Sequence, residues 1–65
     1  MENNFRIILA KQKKKILDVH NATGISKTTL SDIYHERARH PAITTFIKIA
    51  KYLNVTLDEL VSTNE

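Results

Sequence analysis

The sequence predicts an all-α protein, a compact bundle of five short helices in a single domain of 65 residues. Three observations predict it. The apolar residues recur at intervals of three and four, which is the period of a helix buried on one side. No stretch alternates apolar and polar residues as a half-buried strand does. The only glycine and the only proline, Gly24 and Pro41, leave few helix breaks, so we expect tight connections.

The first two helices lie before Gly24. Asn3 or Asn4 can cap the first helix, because a short polar side chain accepts from the free backbone N–H groups there. Its apolar face is Phe5, Ile8 and Leu9. It ends in the basic run 11–15, expected to be solvated. The second helix is predicted over 16–23, with Ile16, Val19 and Thr23 on one side. Gly24 ends it, since glycine readily adopts a left-handed conformation.

The third helix begins after Ser26, a favourable N-cap, and spans about nine residues. The spacing places Leu30, Ile33 and Tyr34 on one face. It places Thr28, Ser31, Asp32 and His35 on the other, and Lys27 in the exposed first turn. A helix anchored on one face therefore presents short hydrogen-bonding side chains on the other. A basic loop follows, from Arg37 to Pro41.

The last two helices fill the C-terminal third. The fourth is predicted over 42–53, with an inward face of Phe46, Ile49, Ala50 and Leu53, outward Lys48 and Lys51, and Asn54 as a left-handed C-cap. Thr56 followed by Glu59 predicts a capping box for a short fifth helix. That helix carries Leu57, Leu60 and Val61. We expect residues 62–65 to fray.

The charge is distributed unevenly along the chain. The net charge is +3, but the first 53 residues carry ten basic and four acidic side chains, whereas residues 54–65 carry three acidic and no basic ones. A basic segment with a net charge of +6 favours a polyanionic partner. Small basic proteins are common, so the charge by itself makes nucleic acid only one candidate.

Residues 16–34 carry the functional motif. A helix, a glycine turn, Ile25, a capping Ser26 and a second helix form a helix-turn-helix pattern. Gly24 allows the tight turn, and Val19 and Ile25 fill the angle between the helices. The outward face of the second helix is then free to enter the major groove of DNA.

At these residues the chain resembles the Cro/C1-type helix-turn-helix family, which includes small phage repressors. The resemblance lies in TGISKTTLSDIY (23–34), TTFIKIAKYLNV (44–55) and TLDEL (56–60), and it covers about residues 4–61, with the helix-turn-helix at about 16–35. It implies a five-helix, lambda-repressor-like DNA-binding domain that binds a palindromic operator as a homodimer.

By position, the resemblance also implies roles for individual residues. Those expected to read bases are Lys27, Thr28, Ser31 and Asp32. Those expected to contact the DNA backbone are Thr29, Arg37 and Arg39, and the charge pattern adds Lys14 or Lys15. The sequence departs from the family at Ile16, which replaces a usual glutamine, at His20, which replaces a small residue, and at Glu36, which replaces a glycine. Glu36 leaves open a third helix that is one turn longer.

Other functional classes find little support. There is no cysteine, and His35 and His40 are five residues apart without a third ligand, so we expect no metal site. No Gly-x-Ser-x-Gly turn accompanies the serines, so we expect no enzymatic activity. No cofactor or small-molecule ligand is evident. The longest apolar run, residues 7–10, is too short for a membrane span or signal peptide, which favours the cytoplasm.

The sequence therefore predicts a sequence-specific regulator of transcription that binds double-stranded DNA, most simply a phage-type repressor that occludes a promoter. We expect the bundle itself to supply the dimer surface. One alternative is a protein-binding module, such as an antitoxin or a subunit that docks on another regulator. It would present Ile47, Tyr52, Leu57 or Val61 to another chain. A second alternative, a basic architectural protein without sequence preference, agrees less well with the polar outward face of the third helix.

Overall fold

The computed structural model describes residues 2–39 and 41–62. Within them it contains five helices and no strand, so the all-α prediction is confirmed. The helices are α1 (Phe5–Gln12), α2 (Ile16–Thr23), α3 (Lys27–Tyr34), α4 (Ile43–Leu53) and α5 (Leu57–Val61). The expected fraying at 63–65 lies outside the described residues, and Ser62 still donates its backbone N–H to the carbonyl of Asp58.

A single apolar core receives side chains from all five helices. Its buried members are Phe5, Ile8, Leu9, Val19, Leu30, Ile33, Phe46, Ile49, Ala50, Leu53 and Leu60. Among the described residues no polar or charged side chain is buried with them. The inward faces predicted for α1, α3 and α4 are therefore confirmed, because helical spacing alone selects those positions.

The ends of α1 are attached to distant parts of the chain. Asn3 provides the capping oxygen, accepting from Phe5 N at 2.8 Å, while the Asn4 amide donates to the carbonyl of Glu59 at 2.8 Å. At the other end the Gln12 amide donates to the carbonyl of Leu53 at 2.7 Å. Gln12 is half-buried as a result, so the prediction that the whole run 11–15 is solvated was wrong for this residue.

Left-handed residues end four of the helices. Gly24 (φ 75°) and Asn54 (φ 57°) do so as predicted, and Lys13 (φ 56°) and Glu36 (φ 59°) do so without the residue types that favour this conformation. The predicted capping box of α5 is also confirmed. Glu59 N donates to Thr56 Oγ1 at 3.0 Å, and Thr56 N donates to Glu59 Oε1 at 3.3 Å.

The helices are short. None in the part of the chain that the structure describes is long and apolar enough to cross a membrane.

Candidate nucleic-acid interface

Helix α3 is held on the core by one face and exposed on the other. Leu30 and Ile33 have no solvent-exposed surface, whereas Lys27 and Thr28 are exposed. Ser26 caps the helix, because its Oγ accepts from Thr29 N at 3.1 Å. The anchored face fixes the direction in which the outward side chains project, as predicted.

The turn before α3 is closed by contacts within α2 and the turn itself. The Thr23 hydroxyl donates to the carbonyl of Val19 at 2.7 Å and accepts from Ile25 N at 3.3 Å. His20 Nδ1 lies 2.7 Å from the carbonyl oxygen of Ile25, and a ring N–H there donates to it. His20 is half-buried, and no pattern in the sequence indicated this hydrogen bond. His20 thus helps to fix the angle between α2 and α3.

The five residues of α3 that were predicted to contact DNA form two groups on successive turns of the helix. Lys27, Thr28 and Thr29 form the exposed first turn, where Thr29 Oγ1 also accepts from Ser26 Oγ at 2.9 Å. Ser31 and Asp32 lie one turn later and are half-buried. Thr29 is thus shared between the cap of the helix and the surface.

Arg37 lies against the second of these groups. Its Nε is 3.1 Å from Asp32 Oδ1, and its Nη2 donates to Ser31 Oγ at 3.0 Å. This is the only ion pair within the described residues. Sequence reasoning assigned Arg37 to the backbone of DNA and did not foresee that it would join two of the residues assigned to the bases. A basic residue five positions after an acidic one is the only signal the sequence offers for it.

The loop after α3 departs from the sequence expectation. A helix one turn longer was left open, and that possibility is wrong, because α3 ends at Tyr34 and Glu36 adopts the left-handed conformation. The N–H groups of Arg37 and Ala38 then both donate to the carbonyl of Asp32, at 2.8 and 3.2 Å. Arg39 follows and is exposed. Of the loop between α3 and α4, His40 lies outside the described residues.

The two predicted lysines before α2 differ in their surroundings. The Lys14 ammonium lies 4.4 Å from the centre of the Tyr52 ring, an arrangement that a cation and an aromatic face favour. Lys15 is exposed, and its backbone N–H donates to Asp18 Oδ2 at 2.8 Å. The ammonium group of Lys15 is therefore open to a ligand, whereas that of Lys14 is already in contact with the Tyr52 ring.

The remaining candidate residues form no second site. Within residues 2–39 and 41–62, no three histidine, aspartate or glutamate side chains come together as metal ligands would. His35 packs its ring against Tyr34, with ring centres 5.0 Å apart.

Comparisons with known proteins identify the family and the fold. The family model described as Cro/C1-type HTH DNA-binding domain matches residues 4–65, nearly the whole chain. A comparison with curated proteins found no match. Among solved structures, the chain is similar to a "putative DNA-binding protein" from Bacteroides fragilis, with a TM-score of 0.82 and 23% identity over 92% of this chain and 95% of that one. At this identity the likeness establishes the shared fold. The protein belongs to the Cro/C1-type helix-turn-helix family of DNA-binding regulators, which is not a family of enzymes.

Proposed function

We propose that this Cro/C1-type helix-turn-helix protein is a cytoplasmic repressor that binds a palindromic operator in double-stranded DNA as a homodimer and acts by occluding a promoter. The whole chain, residues 1–65, serves as a single DNA-binding domain. One observation supports this most directly. Helix α3 buries Leu30 and Ile33 completely, while its opposite face carries short polar side chains that are exposed at Thr28 and half-buried at Ser31 and Asp32.

Helix α3 suits the major groove in size and chemistry. Its eight residues span about 12 Å, and an α-helix fits in the major groove of B-DNA. Four of its side chains, Lys27, Thr28, Ser31 and Asp32, are the proposed readers of base edges. Lysine can donate to guanine, and serine and threonine can donate or accept, so the set can distinguish base pairs.

A second group of residues is proposed to hold the phosphates. Arg39 and Lys15 are exposed cations, and Thr29 offers a hydroxyl close to the start of the helix. Lys14 and Arg37 complete the set. Lys14 contributes after adjusting its contact with Tyr52, and Arg37 through the donors that its contacts with Asp32 and Ser31 leave unused. Because every duplex carries the same phosphates, these contacts give affinity and register rather than sequence preference.

The dimer follows from how little one short helix can read. A single α3 covers only a few base pairs, too few to identify one site in a genome. Two copies related by a twofold axis, with their recognition helices about 34–36 Å apart, double the length that is read and require inverted symmetry in the site.

The test is a selection of bound sequences from a random duplex library, followed by affinity measurements on two variants. Arg39→Ala should weaken binding to the selected operator and to random DNA by the same factor, because it removes a phosphate contact. Thr28→Ala should lose about 1–3 kcal/mol on the operator, much less on random DNA, and relax the preference at one position in each half-site.

Circular dichroism serves as the control, since neither substitution touches the core or the Gly24 turn. A selection that returns no preferred sequence, or one without inverted symmetry, would contradict the operator or the dimer respectively. If both Thr28→Ala and Asp32→Ala leave the selected sequence unaltered, α3 is not the reading element.

One observation favours the protein-binding alternative. Ile43 and Ile47, one turn apart on α4, are 56% and 43% exposed. Four residues were predicted from the sequence to form a partner surface. Of these, only Ile47 is exposed, whereas Tyr52, Leu57 and Val61 are half-buried. A chain that remains monomeric both free and on DNA would leave this apolar pair for a different partner and favour that alternative.

A further inference from the structure

Arg37 is joined to α3 through both its side chain and its backbone. Its guanidinium spans Asp32 and Ser31, at 3.1 and 3.0 Å. Its backbone N–H donates to the carbonyl of Asp32 at 2.8 Å. The left-handed conformation of Glu36 reverses the chain so that both contacts form at once. The guanidinium is therefore held at a fixed place beside the outward face of α3.

This arrangement contributes little to folding. The side chains of Arg37 and Asp32 are 56% and 42% exposed, and ion pairs so open to water stabilise a fold weakly, because solvent screens them. An effect other than stability is needed to explain why Arg37 contacts two of the proposed readers of the bases.

The pair has a clear effect on the charge presented to DNA. An isolated Asp32 carboxylate on the recognition face would be repelled by the phosphates. With Arg37 beside it, the negative charge is balanced locally, and only Oδ1 is used in the contact. Oδ2 has no protein partner among residues 2–39 and 41–62, so it remains able to accept a hydrogen bond. A guanidinium has five N–H donors, and the two contacts use two of them.

We propose that Arg37 is a specificity-determining residue that positions Asp32 and Ser31, so that the three side chains read one position of the half-site as a unit. This inference rests on the proposed function. Oδ2 of Asp32 accepts from the exocyclic amino group of a cytosine, the base edge that suits a carboxylate in the major groove. The N–H donors of Arg37 that these two contacts leave unused bind an adjacent phosphate or base acceptor.

Arg39 provides a matched control. It lies two residues further along the same loop and carries the same charge, but it forms no ion pair with any described residue. A residue that only holds phosphate changes affinity equally for all sequences. A residue that positions a base reader changes the relative affinities for different bases.

The experiment compares sequence selections for the wild type, Arg37→Ala, Arg37→Lys, Arg39→Ala and Asp32→Ala. We expect the wild type to prefer cytosine at one position of the half-site by about tenfold. Arg37→Ala and Asp32→Ala should both abolish this preference at that same position. Arg39→Ala should keep it while weakening binding to every sequence.

Arg37→Lys distinguishes positioning from charge. Lysine keeps the positive charge but lacks the planar fork that contacts two side chains together. It should recover much of the affinity for random DNA that Arg37→Ala loses, without recovering the cytosine preference. In the double variant Arg37→Ala/Asp32→Ala, the loss of preference should be no greater than in either single variant.

Two results would overturn the proposal: uniform weakening by Arg37→Ala like that of Arg39→Ala, or recovery of the cytosine preference by Arg37→Lys. Failure of the proposed function looks different, because the wild type itself would then select no sequence. Thermal unfolding of each variant checks that the fold is retained, which the exposure of the pair leads us to expect.

Discussion

The two junctions that flank α3 use the same backbone design with different residues. Each has a left-handed residue after one helix, Gly24 (φ 75°) or Glu36 (φ 59°). Each has an extended N-cap before the next helix, Ser26 (φ −61°, ψ 147°) or Ala42 (φ −64°, ψ 135°). At the first junction both residues suit their conformations. At the second neither does, since Glu36 has a Cβ and Ala42 has no capping oxygen.

The second junction compensates through backbone hydrogen bonds of its own loop and through one side chain from the start of the sequence. The last carbonyls of α3 accept from the backbone of residues 36–38, and the Asn3 amide donates to the carbonyl of Ile33 at 3.1 Å. The first junction is stabilised by residue types that suit their own backbone conformations. A junction that holds through such added contacts ties the basic loop to α3, where the proposed DNA contacts lie.

The largest expected effect is at the first junction. Gly24→Val should lower the free energy of unfolding by about 2–3 kcal/mol, because a β-branched residue is strained in the left-handed region. Apart from its chain neighbours, no atom lies within 4 Å of the Cβ position, so the Cβ itself meets no clash and the expected loss comes from the left-handed conformation. The measurement is thermal or urea unfolding followed by circular dichroism.

Gly24→Asn is the matched control for this change. Asparagine tolerates the left-handed region, so its loss should stay below about 1 kcal/mol. Equal losses for the valine and asparagine variants would mean that the conformation of Gly24 is not what limits this turn.

An intermediate effect is expected from the two N-caps, in opposite directions. Ser26→Ala removes the acceptor for Thr29 N and should lower the free energy of unfolding by about 1 kcal/mol. Ala42→Ser supplies an acceptor where α4 has no side-chain cap and should raise it by about 0.5–1 kcal/mol. Urea unfolding of both variants measures the difference. A serine at position 42 that stabilises nothing would indicate that solvent already satisfies the start of α4.

The smallest effect is expected at the left-handed residue of the second junction. Glu36→Gly should raise the free energy of unfolding by about 0.5 kcal/mol, since relief of the left-handed strain slightly exceeds the greater entropy of glycine in the unfolded chain. Glu36→Ala is the control, because it removes the side chain but keeps the Cβ, and it should not stabilise. Calorimetric melting of the three proteins checks this. A stabilising alanine would assign the effect to the glutamate side chain instead of the backbone.

The sequence by itself determined the five helices, the core and most helix ends. These depend on signals within a few residues, such as the three- and four-residue spacing of Leu30 and Ile33 and the capping box of Thr56 and Glu59. The match of the Cro/C1-type family model then follows from the same residues in the same order.

Only the tertiary structure decided how the surface around α3 is arranged. The bond from Gln12 to Leu53 joins residues 41 positions apart, and the one from Asn3 to Ile33 joins residues 30 apart. Neither has a local signal, because any helix end can accept a donor that the fold brings to it. The pairing of Arg37 with Asp32 has the same origin. It requires Glu36 to adopt the left-handed conformation, which a residue with a Cβ disfavours. The surrounding hydrogen bonds and the packing of α3 hold Glu36 in this conformation.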